Sequence, residues 1–179
     1  ATTEIYTLSL PDALPIYGYE VVVNYRQRDA EAQAVIDAIR ADGGQARLLR
    51  FDVSDRGAAR EAIEADVAAN GAYYGVVLSA GVSSDGAFPA LGEADWDRVI
   101  DTNLNGNYRT IRRCLAAMME RKWGRIITIA STAASVGSPY SAAYCASKAG
   151  LLGMMRCVAL EGAPHGVTCN AISPGFVNT

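Results

Sequence analysis

The feature that most constrains how this chain can fold is a repeated change of hydrophobic period. Short strand-like runs of five or six residues at 20–24 (a β-branched one), 46–51, 74–78, 125–130 and 167–172 alternate with longer helical segments. Runs of this length suit strands buried on both faces, and a helix between successive strands lets them lie parallel. Helical patterns at 29–41, 55–70, 93–121 and 142–162 supply those crossovers. The first has an apolar stripe of Ala34, Ile36 (or Val35), Ala38 and Ile39, and Gly43-Gly44 stops it. Ser54 or Asp55 can cap the second. The expected architecture is α/β, a doubly wound, Rossmann-like parallel sheet forming an incomplete single domain.

Composition removes several function classes. A net charge of −3 leaves no electrostatic footprint for nucleic acid or an acidic membrane. Arg and Gly break the apolar runs well short of membrane-spanning length, so no transmembrane helix is expected. Cys114, Cys145, Cys157 and Cys169 show no C-x-x-C spacing. They read as buried, reduced thiols of a cytoplasmic protein, with no metal site expected. The one histidine, His165, lies in a Gly-Ala-Pro-His-Gly loop, and no G-x-S-x-G or S-x-x-K is present. Serine-hydrolase chemistry therefore has little to build on.

Residues 1–16 do not read like the rest, and they carry neither a basic n-region nor an apolar core. They are expected to be a non-native leader resembling a translated sequencing adapter, with the domain proper at 17–179. A strand ending at Leu10 would leave nine residues before Glu20, two of them proline. A parallel crossover needs about a dozen or more.

The chemistry concentrates between Ser131 and Lys148. Tyr144 and Lys148 are four apart, one turn apart on one helix face. An ammonium beside a phenol favours the phenolate and makes the phenol a usable proton donor near neutrality. Ser131, at the end of the preceding strand, can hydrogen-bond the same substrate oxygen, with Ser135, Ser138 and Ser141 as nearby decoys. Asn103 falls within the stripe of Trp96, Val99, Ile100, Tyr108 (or Asn107), Ile111, Leu115 and Met118. A buried carboxamide must be hydrogen-bonded, so on these grounds it is a structural kink or a water clamp.

Tyr144-x-x-x-Lys148, with Ser131 thirteen residues upstream, resembles the active site of the short-chain dehydrogenase/reductase family. Asp52-Val53, Ala80-Gly81, Asn103, Asn170 and Pro174-Gly175 match that family in order, over roughly residues 17–179. The resemblance implies that Tyr144 protonates a carbonyl as hydride arrives. It also implies that Lys148 tunes the phenol and holds the nicotinamide ribose, and that Asn103 orders a relay water. Asp52 and Val53 are then expected at the adenine, and Ser79, Ala80 and Gly81 beside the cofactor. Tyr144, Lys148, Pro174, Gly175 and Thr179 are expected at its nicotinamide end. Ser79 stands where the family usually has asparagine.

The second strand of the family pattern ends Asn24-Tyr25-Arg26, without an acidic residue for a ribose 2′-hydroxyl. Arg26 can meet a 2′-phosphate instead, which favours NADP(H) over NAD(H). The family's T-G-x-x-x-G-x-G turn has no counterpart, and its last segments would lie beyond Thr179, so the chain is expected to be a fragment. Residues 71–77 and 85–91 resemble the ketoreductases of fatty-acid synthesis, which implies reduction of a 3-keto thioester. Other short-chain dehydrogenases, acting on acetoacetyl-CoA, polyketide ketones, alcohols or sugars, are the alternative. A catalytically silent, oligomerising fragment is the reading from another class. Residues 142–160 carry only Lys148 and Arg156 as charges, so burial on both sides is expected. That predicts a homodimer or homotetramer through the 93–121 and 142–162 helices.

Overall fold

The computed structural model describes residues 18–175, so the leader assigned to 1–16 and the cofactor contact assigned to Thr179 lie outside the described residues. Five strands and six α-helices alternate: β1 (Glu20–Tyr25), α1 (Asp29–Ala41), β2 (Gln45–Arg50), α2 (Arg56–Asn70), β3 (Gly75–Leu78), α3 (Glu93–Ile100), α4 (Gly106–Glu120), β4 (Gly124–Ile129), α5 (Ala133–Val136), α6 (Ala142–Gly162) and β5 (Val167–Ile172). All strand pairs are parallel. β1 pairs with β2, with Val21 opposite Ala46, and β4 lies between β3 and β5, with Ile126 opposite Val76 and Cys169. The described residues thus form two sheet pieces, β1–β2 and β3–β4–β5.

Two apolar cores follow from that arrangement. Val21, Ile36, Ile39 and Ala46 pack α1 onto β1 and β2. The larger core joins Phe51, Ala59, Ile63, Leu78, Ile111, Cys114, Met118, Ile126, Val167 and Cys169. Phe51, which follows β2, carries the first piece into the second core, while α2 packs on α4. At the opposite end of the strands Tyr19, Tyr74 and Trp123 stack in series, with ring centroids 5.2 and 5.1 Å apart, and link β1 to β3 and β4. Aromatic contacts of this kind add to the area they bury.

Local chemistry explains most boundaries. Asp55, not Ser54, caps α2: its carboxylate accepts from the amides of Gly57 and Ala58 at 2.9 and 3.0 Å. The helix expected over 93–121 is broken at its centre by a π-helical turn, Asp101–Asn105. The wider turn adds a residue to the winding. Beyond it the buried row is Asn107, Ile111, Cys114 and Met118, while Tyr108 is exposed. Cys157 also departs from the expectation of buried thiols: it is exposed on α6, whereas Cys114 and Cys169 are buried and Cys145 is half-buried. Among the described residues no cluster of His, Cys, Asp or Glu could hold a metal, and no helix is long and apolar enough to cross a membrane.

Candidate active site

Parallel pairing puts the carboxyl ends of all strands within each sheet piece on one edge. Arg26 follows β1, Asp52 and Val53 follow β2, and Ser79, Ala80 and Gly81 follow β3. Ser131 follows β4, and Pro174 and Gly175 follow β5. Ligands of open α/β sheets bind at that edge.

The start of α6 sets Lys148 against the end of β4, with Tyr144 one turn before it. Lys148 is 4% exposed, and its Nζ donates to the Ile129 carbonyl at 2.7 Å. The same Nζ lies 5.5 Å from the centre of the Tyr144 ring. Burial pushes the Lys148 ammonium down to about 8, because removing a charge from water disfavours it. Ser131 lies two residues after Ile129, and its Oγ accepts from the Ala133 amide at 3.2 Å as α5 begins. The Thr132 amide donates to Pro174 at 3.0 Å, which ties the serine turn to the Pro174-Gly175 turn.

Asn103 is fully buried at the centre of the π-helical turn. Its Oδ1 accepts from the Val82 amide at 2.7 Å, and its Nδ2 donates to the Val82 carbonyl at 2.8 Å and to Ser147 Oγ at 3.0 Å. Ser147 in turn donates to the Tyr144 carbonyl at 2.7 Å. The side-chain amide of Asn107 donates to the backbone carbonyl of Asn103. A Cβ placed on Gly81 would lie 3.4 Å from Asn103 Oδ1 and 3.5 Å from Lys148 Nζ, so Gly81, Asn103 and Lys148 converge.

Arg26 and Asp52 form an ion pair of 3.2 Å at the outer part of this edge. Asp52 Oδ1 also accepts from the Ser54 amide and hydroxyl, at 2.9 and 2.7 Å. Burial pushes the Asp52 carboxyl up, but the Ser54 hydrogen bonds and Arg26 outweigh it and hold it below the usual range. Since Asp55 caps α2, Asp52 is left to shape the turn. Val53 packs against Gly106, where a Cβ would meet Val53 Cγ2 at 2.9 Å.

The chain from residue 9 to residue 179 matches the family model described as short chain dehydrogenase. The chain belongs to that family. It is 46% identical over 163 residues to a 3-oxoacyl-(acyl-carrier-protein) reductase FabG of Aggregatibacter actinomycetemcomitans, covering 90% of this chain and 67% of the relative. A FabG reductase of Staphylococcus aureus is 36% identical over 89% of this chain and 65% of its own length. A 3-oxoacyl-(acyl-carrier-protein) reductase of Synechocystis sp. is 37% identical over 93% of this chain and 68% of its own length. The chain thus spans about two thirds of the length of these relatives.

Several residues at the site carried no signal of their own in the sequence. The Ile129 carbonyl that receives Lys148 is a backbone group with no residue signature. Ser147 could have been found as a buried hydroxyl on an apolar helix, three residues after Tyr144. Arg109 donates to the Val53 and Ser54 carbonyls at 3.2 and 2.9 Å and pairs with Asp101 at 2.6 Å. It reads in the sequence as one of several surface arginines.

Proposed function

We propose that the protein is a ketoreductase that reduces a 3-keto thioester to the 3-hydroxy product, with NADPH as hydride donor, in fatty-acid synthesis. The observation that carries this reading is Lys148, buried against Ile129 beside the Tyr144 ring at the carboxyl ends of the strands. The similarity to 3-oxoacyl-(acyl-carrier-protein) reductases supports the substrate class.

Tyr144 is the proton donor to the ketone oxygen, and Ser131 is a second hydrogen-bond donor to it. A partly buried phenol of this kind, four residues from a buried amine, can give its proton outward to the ketone oxygen and be reprotonated from the inner side. Lys148 returns a proton to the phenol side. Asn103 holds the surrounding loop and helix in place, and its turn is the candidate route for a relay water. When bound, the nicotinamide cofactor supplies the hydride.

The donor set fits such a cofactor. A cation at Arg26 and an acceptor at Asp52 sit at one end of the strand edge, and the Tyr144–Lys148 pair belongs to the other sheet piece. Arg26 is suited to a 2′-phosphate, Asp52 and Val53 to the adenine, and Ser79, Ala80 and Gly81 to the span between. Pro174 and Gly175 are suited to the nicotinamide side. The cofactor preference is therefore NADP(H) over NAD(H), and the location the cytoplasm.

The outer face of α6 supports self-association. Ala146, Ala149, Gly153, Cys157 and Leu160 are exposed at helical spacing. Small and apolar residues so arranged suit close packing with a second copy, as a homodimer or homotetramer.

The test is NADPH oxidation with a 3-ketoacyl thioester, run on the intact protein and on the 179-residue chain, with acetoacetyl-CoA and simple ketones as comparison substrates. Tyr144→Phe in the intact protein should abolish reduction and leave NADPH binding in place. Retained turnover in that variant would refute the assignment of Tyr144. An active intact protein beside an inert 179-residue chain would show that the present stretch is a silent portion.

A further inference from the structure

Two adjacent residues at the start of α6 depart from their local preferences, and both are bonded to one distant loop. Ser141 occupies the N-cap position, where a serine ordinarily accepts from an amide two or three residues on. Here its side chain makes no cap bond and instead donates to Asp85 Oδ1 at 3.0 Å. Tyr140, just before it, has φ 67°, a left-handed backbone that a bulky side chain disfavours. Its carbonyl accepts from the Gly86 amide at 2.8 Å. Departures like these persist only where the surroundings hold them, and they gather at functional sites.

The loop after β3 that supplies Asp85 and Gly86 is itself fixed elsewhere. Val82 is gripped through both its amide and its carbonyl by Asn103. Asn103 continues to Ser147, and Ser147 to the Tyr144 carbonyl. The bonds therefore close a ring that runs from Tyr140 and Ser141 through Asp85, Gly86, Val82, Asn103 and Ser147 back to Tyr144. Tyr144 stands three residues after Ser141 and three before Ser147, so the ring holds it from both sides.

We propose that Asp85 and Ser141 are positioning residues: together with the Gly86–Tyr140 bond they latch the first turn of α6 to the loop after β3 and so fix the phenol of Tyr144. The proposal rests on the reading of Tyr144 as proton donor, and its test separates the two. Ser141→Ala, Asp85→Ala and the double variant are made in the intact protein. Each single change should lower kcat on the order of tenfold by misplacing the phenol, with KM and NADPH affinity unchanged. The double variant should be no slower than either single, and Ser141→Thr should recover most of the rate. Hydrogen exchange should quicken at the Gly86 and Cys145 amides, which bond the Tyr140 and Ser141 carbonyls, in both single variants.

Wild-type kcat in the singles, or a double variant showing the product of both losses, overturns the latch. Where the intact wild-type protein reduces no ketone, the proposed function fails, and exchange alone decides the latch. Unchanged exchange at Gly86 and Cys145 then overturns it.

Discussion

Replacing Asn103 by leucine tests whether the carboxamide at the π-helical turn carries the junction between the β3 loop and α6. The side chain is fully buried and makes three hydrogen bonds, two of them to one residue, Val82. Leucine is close in shape and returns none of them. Ser147 keeps its bond to the Tyr144 carbonyl, so the main loss is at Val82, whose amide and carbonyl are left without that partner. Two half-buried backbone groups without partners cost roughly 2–4 kcal/mol together. In a domain of this size that lowers the melting temperature by roughly 5–15 °C.

Ser147→Ala alone should cost about 1 kcal/mol, and the double variant should fall short of the sum by roughly 0.5–1.5 kcal/mol, the coupling of one neutral hydrogen bond. Thermal and urea melts of the four proteins, followed by circular dichroism, give the cycle. An Asn103→Leu variant within about 0.5 kcal/mol of wild type refutes the reasoning, since exposed-surface substitutions alone span that range. A fully additive double variant would show that Asn103 and Ser147 do not share their bond in solution.

Burial holds the folded Lys148 ammonium at about 8, below its unfolded value near 10.4. Stability from this group is therefore present above the unfolded value and is lost as pH falls through about 8. The melting-temperature difference between wild type and Lys148→Met should accordingly climb from pH 7 to pH 10. Asp66 behaves in the opposite range. Burial pushes its carboxyl up, but Arg47 and then Tyr73 outweigh burial and hold it low, so its stabilisation is present above about pH 4 and lost on further acidification. Asp66→Asn should cost roughly 2–3 kcal/mol at pH 7, because Arg47 is only partly exposed, and should flatten the acid limb of stability measured between pH 5 and 2. Gly106→Ala brings a Cβ to 2.9 Å from Val53 Cγ2 and should destabilise by roughly 1–3 kcal/mol, with the amide resonances of 52–54 shifted in NMR spectra. Arg109→Lys cannot reach the Val53 and Ser54 carbonyls and Asp101 together, so exchange at 52–54 should quicken even where the melting temperature hardly changes.

The parts of the fold visible in the sequence are those governed by nearest-neighbour chemistry. The short strand-like runs became strands because each has a face to bury, Val21 and Ala46 against α1 and Ile126, Val167 and Cys169 in the larger core, and 142–162 became α6 because small and straight-chain residues fill it without a proline. The break in 93–121 was not visible as such. Asn103, Asn105 and Asn107 interrupt an otherwise regular period, but what opens the helix into a π turn is bonding to Val82 and Ser147, which lie 21 and 44 residues away. The four-residue α5 is too short to leave a period at all. In the site, the adjacency of Tyr144 and Lys148 was legible from their spacing, because four residues on a helix is one turn. The target of Lys148 was not, because a backbone carbonyl carries no residue identity. The left-handed Tyr140 was hidden for a related reason: nothing local favours it, and the Gly86 bond to its carbonyl comes from another loop.

The two halves of the site hang on different sheet pieces, and that sets a requirement on how they are joined. Arg26 and Asp52 belong to β1–β2, while Ser131, Tyr144, Lys148 and Asn103 belong to the elements around β3–β4–β5. A dinucleotide spanning both would demand that their separation stay fixed, because a shift of about 1 Å at a reacting centre can cost a hundredfold in rate. Apolar packing between α2 and α4 supplies attraction but little register, since it is not directional. Arg109 supplies register. One guanidinium holds the Val53 and Ser54 carbonyls in the turn begun by Asp52, and it pairs with Asp101, the first residue of the turn that carries Asn103. Arg109 lowers the Asp101 carboxyl first, ahead of the opposing effect of burial, so the pair stays charged through neutral pH. Asn103 then passes the same register to Val82 and Ser147, and so to Tyr144. A planar cation with several fixed donors is suited to this task in a way that a flexible ammonium is not. The π-helical turn is therefore the hinge point of the site: its first residue is tied to the Asp52–Ser54 turn, and its third to the start of α6 at Tyr144.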